Sequence, residues 1–126
     1  MLLAAALVVP LACDDGGGGF CDAAKELESA SGLEADLGVG SPPDEVIGAY
    51  QRTRDALARM NVDAPDDLRV DTGRALDAYD QIVAAVERNA GDLSRASGEI
   101  TTLLADPATS DSLALVVQYA SAECDL

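Results

Sequence analysis

Few side chains in this sequence have the type and spacing to do chemistry. They are the three cysteines Cys13, Cys21 and Cys124, a run of carboxylates at Asp63, Asp66, Asp67 and Asp71, the pair Asp77 and Asp80, and the tyrosines Tyr50, Tyr79 and Tyr119. There is no histidine. That removes Ser-His and Cys-His nucleophilic sites, the commonest general base, and every His-ligated metal. The Asp63–Asp71 run lacks the EF-hand spacing, with no glycine at the sixth position and no closing glutamate at the twelfth. Acids at a helix start are ordinarily caps. Asp77 and Asp80 flank Tyr79, but a carboxylate pair that hydrolyses sugars works beside aromatic stacking platforms, and the chain has one Phe, three Tyr and no Trp. The sequence therefore offers no catalytic constellation, no metal-ligand set and no cofactor motif. The tyrosines fall near inner helix faces, where a phenol is ordinarily a core residue with its hydroxyl at the rim. A ligand cavity lined by Tyr50, Tyr79 and Tyr119 is the alternative.

The positions of the cysteines lead to the chain's start. Leu2 to Ala12 is an apolar, uncharged run directly before Cys13, followed by Asp14-Asp15-Gly16-Gly17-Gly18-Gly19. A bilayer-spanning helix needs roughly 20 apolar residues, so this run is too short to span but suits the core of a signal peptide. Four consecutive glycines make a flexible tether, and no strand before them or Lys-Ser/Thr pair after them supports a phosphate cradle. The stretch Pro10-Leu11-Ala12-Cys13 resembles the lipobox of bacterial secreted lipoproteins. The resemblance covers about thirteen residues. It departs from the family pattern in having Pro10 where Leu is usual and no Lys or Arg before the apolar run. It implies that residues 1–12 are a cleaved signal peptide, that Cys13 becomes the lipidated N-terminus, and that residues 13–19 tether a folded domain, 20–126, to a membrane. The location implied is extracytoplasmic, anchored to the cell membrane through lipid on Cys13.

With Cys13 given to lipid, Cys21 and Cys124 remain at the two ends of the body, and in an exported protein such an even pair reads as a disulfide. Two free thiols, or a Cys13–Cys21 link in the absence of lipidation, are the other readings. The net charge of −15 lies wholly after the leader. It excludes nucleic-acid binding, which needs cationic side chains against phosphate, and electrostatic docking on anionic lipid.

The body reads as all-α, a small bundle of four to five helices. With aromatics scarce, the core must be Ala, Leu, Val and Ile. Phe20 to Ser31 forms a first helix with Cys21, Ala24 and Leu27 inward, stopped at Gly32. Ser41-Pro42-Pro43-Asp44 is a capping-box start for a second, which runs to about Met60 with Val46, Ile47, Tyr50, Thr53, Leu57 and Met60 inside. A third opens at Asp63-Ala64-Pro65-Asp66-Asp67 and carries the clearest period in the chain: Leu68, Thr72, Ala75, Leu76, Tyr79, Ile82, Val83 and Val86. Gly73 within it suggests a close helix crossing. Asp92 caps a fourth helix to about Ala105, and Asp106-Pro107 starts a fifth to about Glu123, with Leu113, Val116, Val117, Ala120 and Cys124 on one face. First and last helices are then neighbours. The body also resembles small cysteine-paired helical lipoproteins of high-GC Gram-positive bacteria, in Phe20-Cys21-Asp22, Ala64-Pro65-Asp66 and Tyr119 to Cys124. That group implies fold and location, and no activity. The function expected is a membrane-anchored helical module with a structural role or an envelope protein partner; the alternative is a small-ligand or lipid carrier with a cavity between helices.

Overall fold

Helix starts and stops explain most of the architecture of the computed structural model. Its backbone is described for residues 4–38 and 40–126, and its side chains for residues 19–38 and 40–126. Five helices follow one another: α1 (Ala4–Ala35), α2 (Pro43–Asp63), α3 (Arg69–Arg88), α4 (Leu93–Ala105) and α5 (Pro107–Glu123). No strand occurs among the described residues, and the fold is the expected all-α bundle. α1 begins at Ala4 and not at Phe20, so the backbone of the expected flexible tether, Gly16 to Gly19 included, lies within the helix. The signal-peptide and Cys13 assignments fall on residues whose side chains lie outside the described set. Among the described residues, no helix is long and apolar enough to cross a membrane.

Gly32 does not stop α1, which continues to Ala35. A glycine inside a helix costs only about 1 kcal/mol, which packing along α2 can offset. The extra turn brings Glu34 to the inner face. The capping box at Ser41 does not form either. The Ser41 Oγ accepts from the Gly38 N–H at 2.9 Å, Pro42 is the residue before α2, and no side chain caps that helix. Proline at the first position and Asp44 and Glu45 in the first turn carry the start instead. At its far end α2 runs past Met60 to Asp63 and stops at Ala64, which is held extended (φ −68°, ψ 142°) because Pro65 follows.

α3 also opens later than its acidic residues suggest. Asp66, Asp67 and Leu68 form a turn ahead of Arg69. Arg69 closes it by donating to the Ala64 carbonyl at 3.0 Å. The inner stripe of α3 is as expected, with Ala75, Ile82 and Val86 fully enclosed. Gly73 is not at a close crossing, since a Cβ there would make only an ordinary contact with Asn61 at 3.8 Å. The close approach is at Gly91 instead. It has φ +77°, and a Cβ would lie 2.7 Å from the Pro43 backbone. Its N–H donates to the Val86 carbonyl at 2.9 Å, closing the end of α3. Asp92 and Asp106 cap α4 and α5 as expected, the first accepting from Ser94 and Arg95 N–H and the second from Thr109 N–H.

α1 packs on α2, α2 on α3, and α3 on both α4 and α5, with α1 and α5 touching. The core is built of Val46, Leu57 and Met60 from α2, Ile82 and Val86 from α3, and Val116 from α5, filled in by alanines. α5 differs from expectation in one respect: Val117 is 54% exposed. The physical reason is Ser112. It is buried, donates to Asp71 at 2.8 Å and accepts from Arg74 at 3.0 Å. Five residues further round the helix, about 140°, Val117 must face outward. The two ends of the body are joined by Cys21–Cys124, with Cα atoms 5.3 Å apart, within the ordinary span of a disulfide. Beside it, Phe20 and Tyr119 meet edge to face at 5.4 Å.

Candidate functional site

Two features of the α1–α2 pair stand out, one on each side. The inner one centres on Glu34, which the continuation of α1 turns towards α2 and α3. Thr53 donates its hydroxyl to Glu34 Oε2, and Tyr79 donates to Oε1 at 3.3 Å. Thr53 is buried because it sits on the α2 stripe between Ala49 and Leu57. Burial pushes the Glu34 carboxyl above its ordinary value, and the two hydroxyl donors oppose that shift without cancelling it. The phenols respond to the same surroundings. Tyr50 is raised by burial and then by the Glu34 charge. Tyr79 is raised by burial first and by Glu34 second, beyond the range in which a phenol ionises in water.

Of the three tyrosines considered from sequence, Tyr79 alone hydrogen-bonds the carboxylate, and Tyr50 feels its charge without bonding to it. Tyr119 stands apart, against Phe20. Glu34 is not among the sequence candidates, because a helix ending at Gly32 leaves it outside, whereas α1 runs on to Ala35. The signal was present, however: Leu27, Ala30 and Glu34 share one helical face once the helix is allowed to run on. The cluster has its hydrogen bonds satisfied internally. None of the four surface concavities described below includes Glu34, Tyr50 or Tyr79 in its wall.

The other sequence candidates are dispersed. Among the described residues, no group of three or more Cys, Asp or Glu side chains is arranged to hold a metal ion. Asp71 of the Asp63–Asp71 run is engaged with Ser112 and lies 3.9 Å from Arg74. Asp80 lies 3.9 Å from Arg54 of α2, and Asp77 and Asp80 are both exposed.

The outer feature is a furrow along the solvent side of α1 and α2. It consists of three concavities of about 390, 630 and 500 Å³ in sequence. The first and second share Glu26 and Arg59, and the second and third share Leu33 and Arg52, so they run into one another. The floor is apolar and of low relief: Ala23, Ala30 and Ala58, with Leu33 and Leu37 towards the end of α1. Leu33 is 41% exposed, and Val62 at the opposite end is 76% exposed. The rim is acidic. Asp22 and Asp63 stand at one end, Asp36, Asp44 and Glu45 at the other, and Glu26 and Asp55 between. The cations of the rim are Arg52 and Arg59. Arg59 is paired with Glu26, which holds the Glu26 carboxyl below its usual range and raises the guanidinium. A fourth concavity, of about 450 Å³, lies between α3 and α4 around the Arg88–Glu99 pair. No known family, curated protein or solved structure matches the chain.

Proposed function

We propose that this protein is an extracytoplasmic lipoprotein, held to the membrane through Cys13, whose helical body is a protein-interaction module of the cell envelope. The observation that carries the interaction reading is the α1–α2 furrow. It is an apolar channel along a helical pair, with Val62 exposed at one end and Leu33 exposed where the second and third concavities join. Large side chains left outside a core that already holds Leu57, Met60 and Ile82 are what a docking face requires. The anchor reading rests on the leader and on Pro10-Leu11-Ala12-Cys13. The bond between Cys21 and Cys124 supports an oxidising compartment.

The carrier alternative gains no comparable support. The concavities lie along helix grooves at the surface, and the three tyrosines are turned to other uses.

Two experiments in the producing cells test the reading. Cys13→Ala should move the protein from the membrane to the soluble fraction, and unchanged membrane association would remove the lipid anchor. A photo-cross-linking residue at Ala58, on the furrow floor, should give a discrete adduct that the same residue at exposed Thr101 of α4 does not. Equal labelling at both positions, or none, would remove the furrow from the account.

A further inference from the structure

We propose that the α1–α2 furrow receives a basic amphipathic helix from a protein partner, with the helix's apolar stripe on the alanine floor and its Lys or Arg residues against the acidic rim. This rests on the interaction-module reading and names the chemistry of the partner.

Shape, charge and exclusion of the other occupants argue for it together. The furrow follows α1 from Gly19 to Asp36, a length of about 26 Å, or about 18 residues of a docked helix. A groove between two helices, lined at its floor by Ala23, Ala30, Ala58, Leu33 and Leu37, accepts a third helix by ridges-into-grooves packing, the helix-in-groove mode of peptide recognition. The rim carries seven carboxylates against two guanidinium groups, and Glu26 already occupies Arg59. The acids are concentrated at the two ends, beyond the Arg52–Arg59 stretch. A helix with cations near both termini therefore gains at both ends, and an acidic helix is repelled by the rim and by the chain's net charge of −15. An anionic phospholipid surface is disfavoured by the same sign of charge. A second copy of this chain would bring acid to acid.

The test uses the full-length protein in a mild non-ionic detergent and a synthetic peptide. The probe is a helical peptide of about 18 residues, with Leu at i, i+3, i+4 and i+7 and Lys on its remaining faces; a twin carries Glu in place of Lys. Binding is followed by backbone amide shifts. The Lys peptide is expected to move amides of α1 and α2 along the furrow, and the Glu twin to move none. Leu33→Asp separates the proposal from bulk charge attraction. It adds negative charge, so diffuse attraction to an acidic surface predicts tighter binding, whereas loss of an apolar contact in the furrow predicts binding about tenfold weaker. Ala58→Trp, which fills the floor without altering charge, should abolish binding. Circular dichroism and melting confirm that each variant is folded.

Shifts scattered over α3 to α5, tighter binding by Leu33→Asp, or equal binding of the Glu twin would each overturn the proposal. The Ala58 cross-link in cells keeps its failure distinct from failure of the broader reading. An adduct with no peptide preference removes the basic helix and leaves the module, whereas no adduct and no peptide binding removes both. Peptide binding without an adduct keeps the furrow's preference and overturns its use in the envelope.

Discussion

The two sides of the α1–α2 pair are built from the same helices and put to opposite ends. On the inner side, Glu34 of α1 meets Thr53 of α2 and Tyr79 of α3, and every polar atom of the cluster has a partner. On the outer side, Glu26 of α1 meets Arg59 of α2 across a furrow open to water. One pair lies where dielectric is low and an unmatched group is costly; the other lies where water screens it and little stability is at stake. The difference teaches where to look for function in a chain without a catalytic constellation. The inner side is committed to holding the fold together. The rim of the outer side is exposed to water, and its charged pairs carry little of the fold's stability. Substitutions should therefore change stability in proportion to how far inside they fall, and change binding in the reverse order.

The largest effect on stability should come from Cys21→Ser. The bond closes a separation of 103 residues, worth about 4–5 kcal/mol in the chain-entropy model, with measured bridges often lower. That is a large share of the net stability of a domain this size. A fall of many degrees in melting temperature without reductant is expected, matched by wild type in the presence of reductant; an unchanged midpoint would mean that the ends of the body hold without the bond.

Gly91→Ala should come next. The added Cβ meets Pro43 backbone at 2.7 Å, at a residue whose φ is +77°. Strained φ and a clash with backbone together make a loss of about 1–3 kcal/mol the expected result in urea melts. Gly73→Ala serves as the control, since its Cβ makes only an ordinary contact, and it should be neutral or stabilising.

Much of this was legible in the sequence, and what was not has a physical reason in each case. The stripe from Leu68 to Val86 was plain because one strict period of apolar residues cannot be satisfied by anything except a buried helix face. The caps at Asp92 and Asp106 were plain because a carboxylate before an apolar run has few other uses. The pairing of Cys21 with Cys124 was legible only once the lipobox resemblance had given Cys13 to lipid, which leaves one even pair. By contrast, Gly32 and Ser41 were misread because each obeys a local preference that packing overrode: the helix runs through the glycine, and the serine bonds backwards to Gly38 instead of forwards. Val117 was misplaced because α5 is apolar on more than one face, and only Ser112's polar partners on α3 decide its rotation. The Glu34 cluster follows from the first of these errors. The furrow was not legible at all, because nothing in a single helix's pattern shows which grooves its neighbours leave uncovered.

Glu34→Gln sharpens the comparison through pH. The carboxyl's pKa is raised in the folded state by burial, so folding favours the protonated form. Its contribution is fully present below the ordinary carboxylate value and is lost as pH rises through the raised folded value. Gln removes the charge and keeps one acceptor oxygen, while its amide N–H donates to the other hydroxyl, as a protonated carboxyl would. The variant should therefore match wild type in acid and melt higher than wild type near neutrality, as seen in melting temperature against pH for both proteins. A constant offset across the pH range would show that charge at Glu34 is not what costs stability there. Glu26, whose pKa is lowered by Arg59, has the opposite sign, with its contribution lost as pH falls, so subtracting wild type from Glu34→Gln at each pH isolates the inner group.

The smallest effect on stability belongs to Arg59→Ala. Arg59 and Glu26 are paired, but both side chains are more than half exposed, at 52% and 57%. In that setting the attraction is screened, and the entropy of holding two long side chains offsets most of it. The melting temperature should stay at the wild-type value, while Tyr79→Phe on the inner side, which leaves Glu34 short of a donor, should lower it. If Arg59→Ala proved as destabilising as Tyr79→Phe, the two sides would not differ in kind, and the furrow would have to be counted as part of the fold's support. If it is silent in melting yet strengthens binding of the Lys peptide, by releasing Glu26 and removing a cation from the rim, then the outer pair holds no part of the fold and acts only on what the furrow admits.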